Sequence, residues 1–277
     1  MHKTDTILIS DADIELVVND IVSAYGYDFG DYSPASFKRR IQRLITLDNF
    51  TSFAEFRYRI KHDEEYFRRV LEEITVVVTE MLRDPGFYKA IRQQIVPILA
   101  TYPFIKIWHA GCATGEEVYS MAILLKEAGV LHKSLLYATD INPLALDKAR
   151  KGIFPLSQMQ QYSKNYMASG GTVDFSSYYT ANYHFAQFDR TLSERMIFAN
   201  HNLVTDSSFN SFQLILCRNV LIYFNKDLQD RVLKLFDQSL ELNGFLGLGT
   251  KESIRFSSIS PAYKQLTGKE KLWRKLK

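Results

Sequence analysis

Apolar residues recur at helical spacing through the first hundred positions of the chain. Phe37, Ile41 and Leu44 lie three to four residues apart with basic residues between them, and Ser33-Pro34 supplies a start signal. Tyr66, Phe67, Val70, Leu71 and Ile74 repeat the pattern. A short β-branched stretch, Ile74 to Thr79, leads to Asp84 and Pro85, which suit the N-cap and first position of a helix running to about Ala100. After Pro103 the period changes. Ile105 to His109 reads as a short apolar strand entering Gly111, and Glu116 to Ala128 as an amphipathic helix with Val118, Met121, Ala122 and Leu125 on one face. Leu135 to Thr139 is a second strand, ending at Asp140. Pro143 to Lys151 is a second helix, stopped by Gly152. This βαβα order is the signature of a parallel sheet.

Residues 157 to 190 break the rhythm. In that aromatic stretch Val173 and Phe175, then Tyr183 and Phe185, alternate like small antiparallel strands, which predicts an inserted β-subdomain at about 165–192. Met196 to Asn200 and Phe212 to Cys217 are further strands. Asn225 caps a helix from Lys226 to Leu242, and Asn243-Gly244 ends it before a strand over Phe245 to Gly249. The expected architecture is an all-helical N-terminal domain over 1–90, with a linker, and a doubly wound α/β domain over 91–277.

Length and composition leave this picture standing. A chain of 277 residues that is 46% hydrophobic and 23% charged can bury a substantial core, which excludes disordered, collagen-like and coiled-coil classes. The two cysteines, Cys112 and Cys217, lie far apart in apolar sequence and read as buried small hydrophobes in a reducing compartment. The apolar run near the start is only Ile7 to Ile9, too short for a signal peptide, and no segment approaches a membrane span, so a cytoplasmic protein without membrane insertion is expected. The net charge of +3 hides an uneven distribution, from −6 over residues 1–34 to +5 over residues 35–61, where Lys38, Arg39, Arg40 and Arg43 cluster. Such a block suits an acidic partner, although a solvated helix face gives the same pattern.

The strongest chemical signal is His109-Ala110-Gly111-Cys112-Ala113-Thr114-Gly115-Glu116-Glu117, which follows a strand and opens a helix. Its glycines let the backbone approach a ligand, and Asp140 at the next strand end is placed to accept hydrogen bonds from ribose hydroxyls. A plain strand-to-helix turn with a capping aspartate is the alternative. The G-x-G-x-x-G of dinucleotide sites and the phosphate loop are both absent, and Glu116 and Glu117 would repel a pyrophosphate. A nucleoside without phosphates, such as S-adenosylmethionine, fits better. A second cluster, Cys217 to Phe224, falls at the carboxyl edge of the sheet. There Asn219 can both donate to and accept from an adenine edge. His201-Asn202-Leu203 sits at the corresponding edge of the preceding strand. The six histidines have no metal-ligand spacing, and no metal is expected.

In order, these blocks resemble the chemotaxis receptor methyltransferases, which transfer a methyl group from S-adenosylmethionine to receptor glutamates. The resemblance rests on Ile107 to Glu117 with Tyr119-Ser120, Ala138 to Ile141, Ala149 to Gly152, His201 to Leu203 and Cys217 to Phe224. It covers nearly the whole chain, including the basic helix and the inserted β-subdomain. It implies a Rossmann-like methyltransferase fold over 91–277 and cofactor contacts at Thr79, Arg83, Gly111, Glu117, Asp140, Asn202, Leu203, Asn219 and Val220. It also implies Arg83 and Tyr223 near methyl transfer, and Lys38, Arg39, Arg40 and Arg43 facing the receptor. The implied partner is the cytoplasmic domain of a chemoreceptor and not nucleic acid, the enzyme being a monomer. Two departures stand out. The family's Asn-x-Thr-x-Phe-Phe-Arg is Val77-Val78-Thr79-Glu80-Met81-Leu82-Arg83 here, and Gly249-Thr250-Lys251-Glu252 replaces Gly-His-Ser-Glu.

Overall fold

A computed structural model describes residues 7–75, 78–266 and 268–277. The chain forms two compact units, one of Met1–Val77 with Tyr223–Gln229, the other of Val78–Ile222 with Asp230–Lys277. The helix expected to straddle residue 90 thus lies wholly in the second unit, because Phe87, Tyr88, Ile91 and Ile95 bury their side chains in that unit's core.

The first unit is built from α1 (Asp11–Tyr25), α2 (Pro34–Leu47), α3 (Phe53–His62) and α4 (Glu64–Thr75). Ser10 and Asp13 form a reciprocal capping box that starts α1. Phe37, Ile41, Leu44 and Ile45 form the buried stripe of α2, and Tyr66, Phe67, Val70, Leu71 and Ile74 that of α4, as their spacing requires. The returning segment joins this unit by main-chain bonds. Ser33 N–H donates to Tyr223 O at 2.8 Å and Asn225 N–H to Asp31 O at 2.9 Å.

The second unit opens with α5 (Pro85–Ala90), a π-helical turn (Ile91–Ile95) and α6 (Val96–Leu99). Pro97 explains the wide turn. It brings no N–H and its ring crowds the preceding turn, so Val96 N–H reaches back five residues to Ile91 O. Then follow β1 (Ile105–Ala110), α7 (Glu116–Glu127), β2 (Ser134–Asp140), α8 (Pro143–Lys151), β3 (Ile153–Pro155), α9 (Met159–Ala168), β4 (Tyr179–Asn182), β5 (Phe185–Phe188), α10 (Arg190–Ser193) and β6 (Met196–Asn200). After them come β7 (Phe212–Cys217), α11 (Lys226–Ser239), β8 (Leu240–Leu248), β9 (Tyr263–Gln265) and β10 (Leu272–Lys275). The main sheet has the order β6-β2-β1-β7-β8-β10-β9. Its strands from β6 to β8 are parallel, while β10 and β9 are antiparallel additions. The order reverses direction between β1 and β7, and in such sheets the crevice outside the carboxyl ends at that point is where ligands bind.

Three elements differ from expectation. The inserted sheet is β3-β5-β4, so it recruits Ile153–Pro155 from before the aromatic stretch, while Phe175 sits in a 3₁₀ turn and Tyr183 in the hairpin turn with φ 48°. The helix over 226 ends at Ser239, and β8 starts three residues before Asn243-Gly244. Asn243, at φ 66°, lies inside β8, and the pairing with β7 shifts register between Phe212 and Leu214, as a bulge does. The hairpin of β9 and β10 carries no alternation strong enough to announce it. No helix among the described residues is long and apolar enough to cross a membrane.

Candidate active site

Four neighbouring strands bring six of the nine expected cofactor residues to one edge, while Glu117 lies in α7 and Thr79 and Arg83 in the segment before α5. Reading across the sheet, β6 ends at His201-Asn202-Leu203, β2 at Asp140, β1 at Gly111 and β7 at Arg218-Asn219-Val220. Three strand-to-strand steps of about 4.8 Å make a row roughly 14 Å wide, ample for a nucleoside carrying an amino-acid arm.

The loop after β1 is fixed by β2. Gly111 and Cys112 donate to Thr139 O at 2.8 and 2.9 Å, and Ala113 donates to Asp140 Oδ2 at 2.8 Å. The other carboxylate oxygen of Asp140 accepts Asn142 N–H at 2.9 Å. Asp140 therefore organises the loop, with lone pairs left over. Burial pushes its pKa above the usual carboxylate value. Gly111 has φ +75°, and a Cβ there would stand 2.4 Å from Val220 Cγ2. The backbone of β1 and the side chain after β7 thus meet too closely for any other residue, and they form one continuous cradle. Asn219 is itself left-handed, at φ 61°. At the β6 end, Asn202 uses its Oδ1 to accept Val204 N–H at 3.0 Å, and His201 N–H donates to Asp140 O at 3.2 Å. His201 stacks edge-on against Trp108 and bonds Ser207 O, and both cysteines are free and buried.

Arg218 gathers the rest of the site. Its side chain is 3% exposed, lies 4.2 Å over the Phe87 ring, and donates through Nη2 to Asp84 Oδ2 at 2.5 Å. Its Nη1 stands 3.9 Å from Glu117 Oε2, and the other oxygen of Glu117 meets buried His109 Nδ1 at 2.9 Å. Asp84 occupies the N-cap of α5 with Pro85 next, as expected, and its carbonyl accepts Phe87 N–H at 2.8 Å, but its side chain makes no capping bond. It adopts φ 58°, and its carboxylate turns to Arg218. Met81 and Leu82, the departure from the family's aromatic pair, are both buried in the core, whereas Val77 lies outside the described residues. Thr79 is half-buried on the approach to this segment, and Arg83 is half-buried with no ion pair among the described residues.

Glu252 is a buried residue beside Asn219 that the sequence reading leaves without a role. Its Oε2 accepts N–H from both Asn219, at 3.0 Å, and Gly249, at 2.5 Å, tying the loop after β8 to the loop after β7. Burial raises its pKa above the ordinary 4.5. A raised folded-state pKa gives stability that is complete below the unfolded value and lost as pH rises through the folded one. Glu252→Gln keeps an accepting oxygen and removes the buried charge. Its melting temperature should therefore fall less than that of the wild type between about pH 5 and about pH 8. Parallel slopes in thermal unfolding would show that the charge on Glu252 costs nothing.

The expected receptor-facing residues lie in the first unit, and most are already occupied there. Lys38 pairs with Asp11 at 2.7 Å and Arg43 with Glu73 at 3.0 Å. Arg40 donates to Glu73 O at 2.8 Å, and its guanidinium lies 5.2 Å from the centre of the Tyr223 ring. Arg39 is exposed and makes no ion pair among the described residues. Tyr223 thus belongs to the unit that holds Arg40, while Arg83 belongs to the other.

A family model described as CheR methyltransferase, SAM binding domain, matches residues 77–270, and one described as CheR methyltransferase, all-alpha domain, matches residues 12–75. The protein Cher3 of Pseudomonas putida is 48% identical over 96% of this chain and 97% of its own length. A chemotaxis protein methyltransferase of Listeria monocytogenes is 30% identical over 83% of this chain and 85% of its own. That of Salmonella typhimurium is 26% identical over 91% and 88%. With both regions matched along the chain, and with a relative nearly half identical over almost all of it, this protein belongs to the CheR methyltransferase family and uses S-adenosylmethionine.

Proposed function

We propose that the protein methylates glutamate side chains on the cytoplasmic domain of chemoreceptors, forming carboxyl methyl esters. The observation that carries this reading is Arg83, a cation with no ion pair among the described residues, beside a segment that Arg218 joins to the cofactor loop. S-adenosylmethionine supplies an activated methyl group. Asp140, Asn219 and Val220 hold the nucleoside end, and Glu117 faces the amino-acid end.

The acceptor needs no general base. A glutamate with a pKa of about 4.3 is already ionised at neutral pH. His109, engaged with Glu117, and His201, packed on Trp108, are correspondingly committed to structure. Arg83 orients the acceptor carboxylate, and the work of the site is positioning in a dry pocket. The test is transfer of labelled methyl to receptor fragments followed by mild alkali. Label should leave as methanol, and kcat should be flat from about pH 6.5 to about 8. Alkali-stable label overturns the assignment. Arg83→Ala should reduce kcat/KM more than Tyr223→Phe, since it removes a charge and not one neutral hydrogen bond.

Encounter with an acidic receptor should depend unequally on the basic helix. Arg39→Glu, which reverses the unpaired cation, should slow association more than Lys38→Glu does and should leave cofactor affinity unchanged. Stopped-flow binding at two salt concentrations checks this, and equal effects of the two reversals would sink it.

A further inference from the structure

Arg83 stands in a short segment held in an uncommon conformation. Leu82 and Asp84, on either side of it, both have positive φ, 53° and 58°. Aspartate tolerates that region, but a bulky leucine avoids it, so the pair persists only where surrounding contacts fix it. Three tethers from three elements do so. Leu82 N–H donates to Ser120 Oγ of α7 at 2.9 Å. Asn165 Nδ2 of α9 donates to Met81 O at 2.9 Å. Arg218, directly after β7, donates to the Asp84 carboxylate at 2.5 Å.

The third tether differs from the others in where it comes from. Ser120 and Asn165 are parts of helices, but Arg218 is the residue immediately before Asn219 and Val220, the latter packed directly against Gly111 of the loop after β1. Its stacking on Phe87 and its burial leave it a single orientation, with its end groups divided between Asp84 and Glu117. A residue so fixed carries the position of the cofactor loop to the residue that follows Leu82.

We propose that Arg218 is a positioning residue, acting through Asp84 to hold Arg83 in register with the cofactor loop. The inference rests on the role given to Arg83 above. If it holds, breaking the tether lets the strained segment relax and misdirects Arg83, while the cradle itself stays formed. The loss then appears in turnover and not in cofactor affinity.

The experiment is a double-mutant cycle on the full chain, with labelled methyl transfer to a receptor fragment and calorimetry of S-adenosylhomocysteine. Asp84→Asn, nearly isosteric, should lower kcat about tenfold and change cofactor affinity less than about twofold. In an Arg83→Ala background the same substitution should change kcat by less than about twofold, because the tether then has nothing to position. Arg218→Lys, which keeps charge but loses the planar stack and fork, should follow the same non-additive pattern in kcat, while its contact with Glu117 lets cofactor affinity move as well. A full tenfold loss from Asp84→Asn in both backgrounds, or a loss of cofactor affinity equal to its loss of kcat, would mean that the pair is merely structural and overturns the proposal. The two readings fail separately. Alkali-stable label in the wild-type product rejects the glutamate assignment while the cycle still decides the role of Arg218, and alkali-labile label with an additive cycle rejects only the latter.

Discussion

Asp140→Ala should weaken binding of S-adenosylhomocysteine by about a hundredfold, equivalent to ~2.7 kcal/mol. Two losses combine. A charge-assisted hydrogen bond to a ribose hydroxyl is worth ~1.5 to 3 kcal/mol, and the N–H groups of Ala113 and Asn142, which now donate to the carboxylate, lose their acceptor. Each unsatisfied donor costs ~1 to 3 kcal/mol where it stays buried, so the melting temperature should fall as well. Asp140→Asn keeps one accepting oxygen and should give an intermediate affinity. Calorimetry on the folded variants decides the matter, and unchanged affinity in Asp140→Ala would remove the carboxylate from the cofactor site.

The second large effect is steric. Gly111→Ala forces a side chain into the left-handed region, which costs ~1 to 2 kcal/mol, and sets a methyl 2.4 Å from Val220 Cγ2, an overpacking that costs a further ~1 to 3 kcal/mol. Val220→Ala removes the atom that is struck. The double variant Gly111→Ala/Val220→Ala should therefore unfold at a higher temperature than Gly111→Ala alone, and at a lower one than Val220→Ala, because the backbone term persists. If Val220→Ala fails to relieve the loss at all, the two residues do not share the close contact described.

The edge of the sheet was readable because its residues announce themselves locally. Gly111 and Asp140 each stand where an apolar strand stops, and α8 has its Pro143 and Gly152 in the positions that start and stop a helix. Arg218, Asp84 and Glu252 were not readable as a set. Each takes part of its role from a partner more than thirty positions away, as Arg218 does from Asp84 and Glu252 from Asn219. A charged residue inside the otherwise apolar run after β7 was the available sign, and it names no partner. The basic helix shows the converse. Its cations were plain in the sequence, but the carbonyl and carboxylate of Glu73 that occupy Arg40 and Arg43 come from α4. The early end of α11 was hidden because Leu240 to Leu242 continue a helical spacing, and only the pairing of β8 with β7 favours the extended form.

Because Tyr223–Gln229 completes the helical unit, that unit is ordered differently in synthesis than in space. When residue 77 leaves the ribosome, Tyr32 still lacks the Phe224 ring that meets it at 5.1 Å, and Asp31 lacks the Asn225 N–H. About 150 further residues must be translated first, which at ~5 to 20 residues per second takes roughly 8 to 30 s. During that interval Phe29 and Phe37 depend on α1 to α4 alone for cover. A nascent chain stalled before residue 223 should accordingly be cut by protease in its helical part more readily than one stalled well past residue 229, and a fold begun by little more than the first quarter of the translated message is closed only by its last quarter.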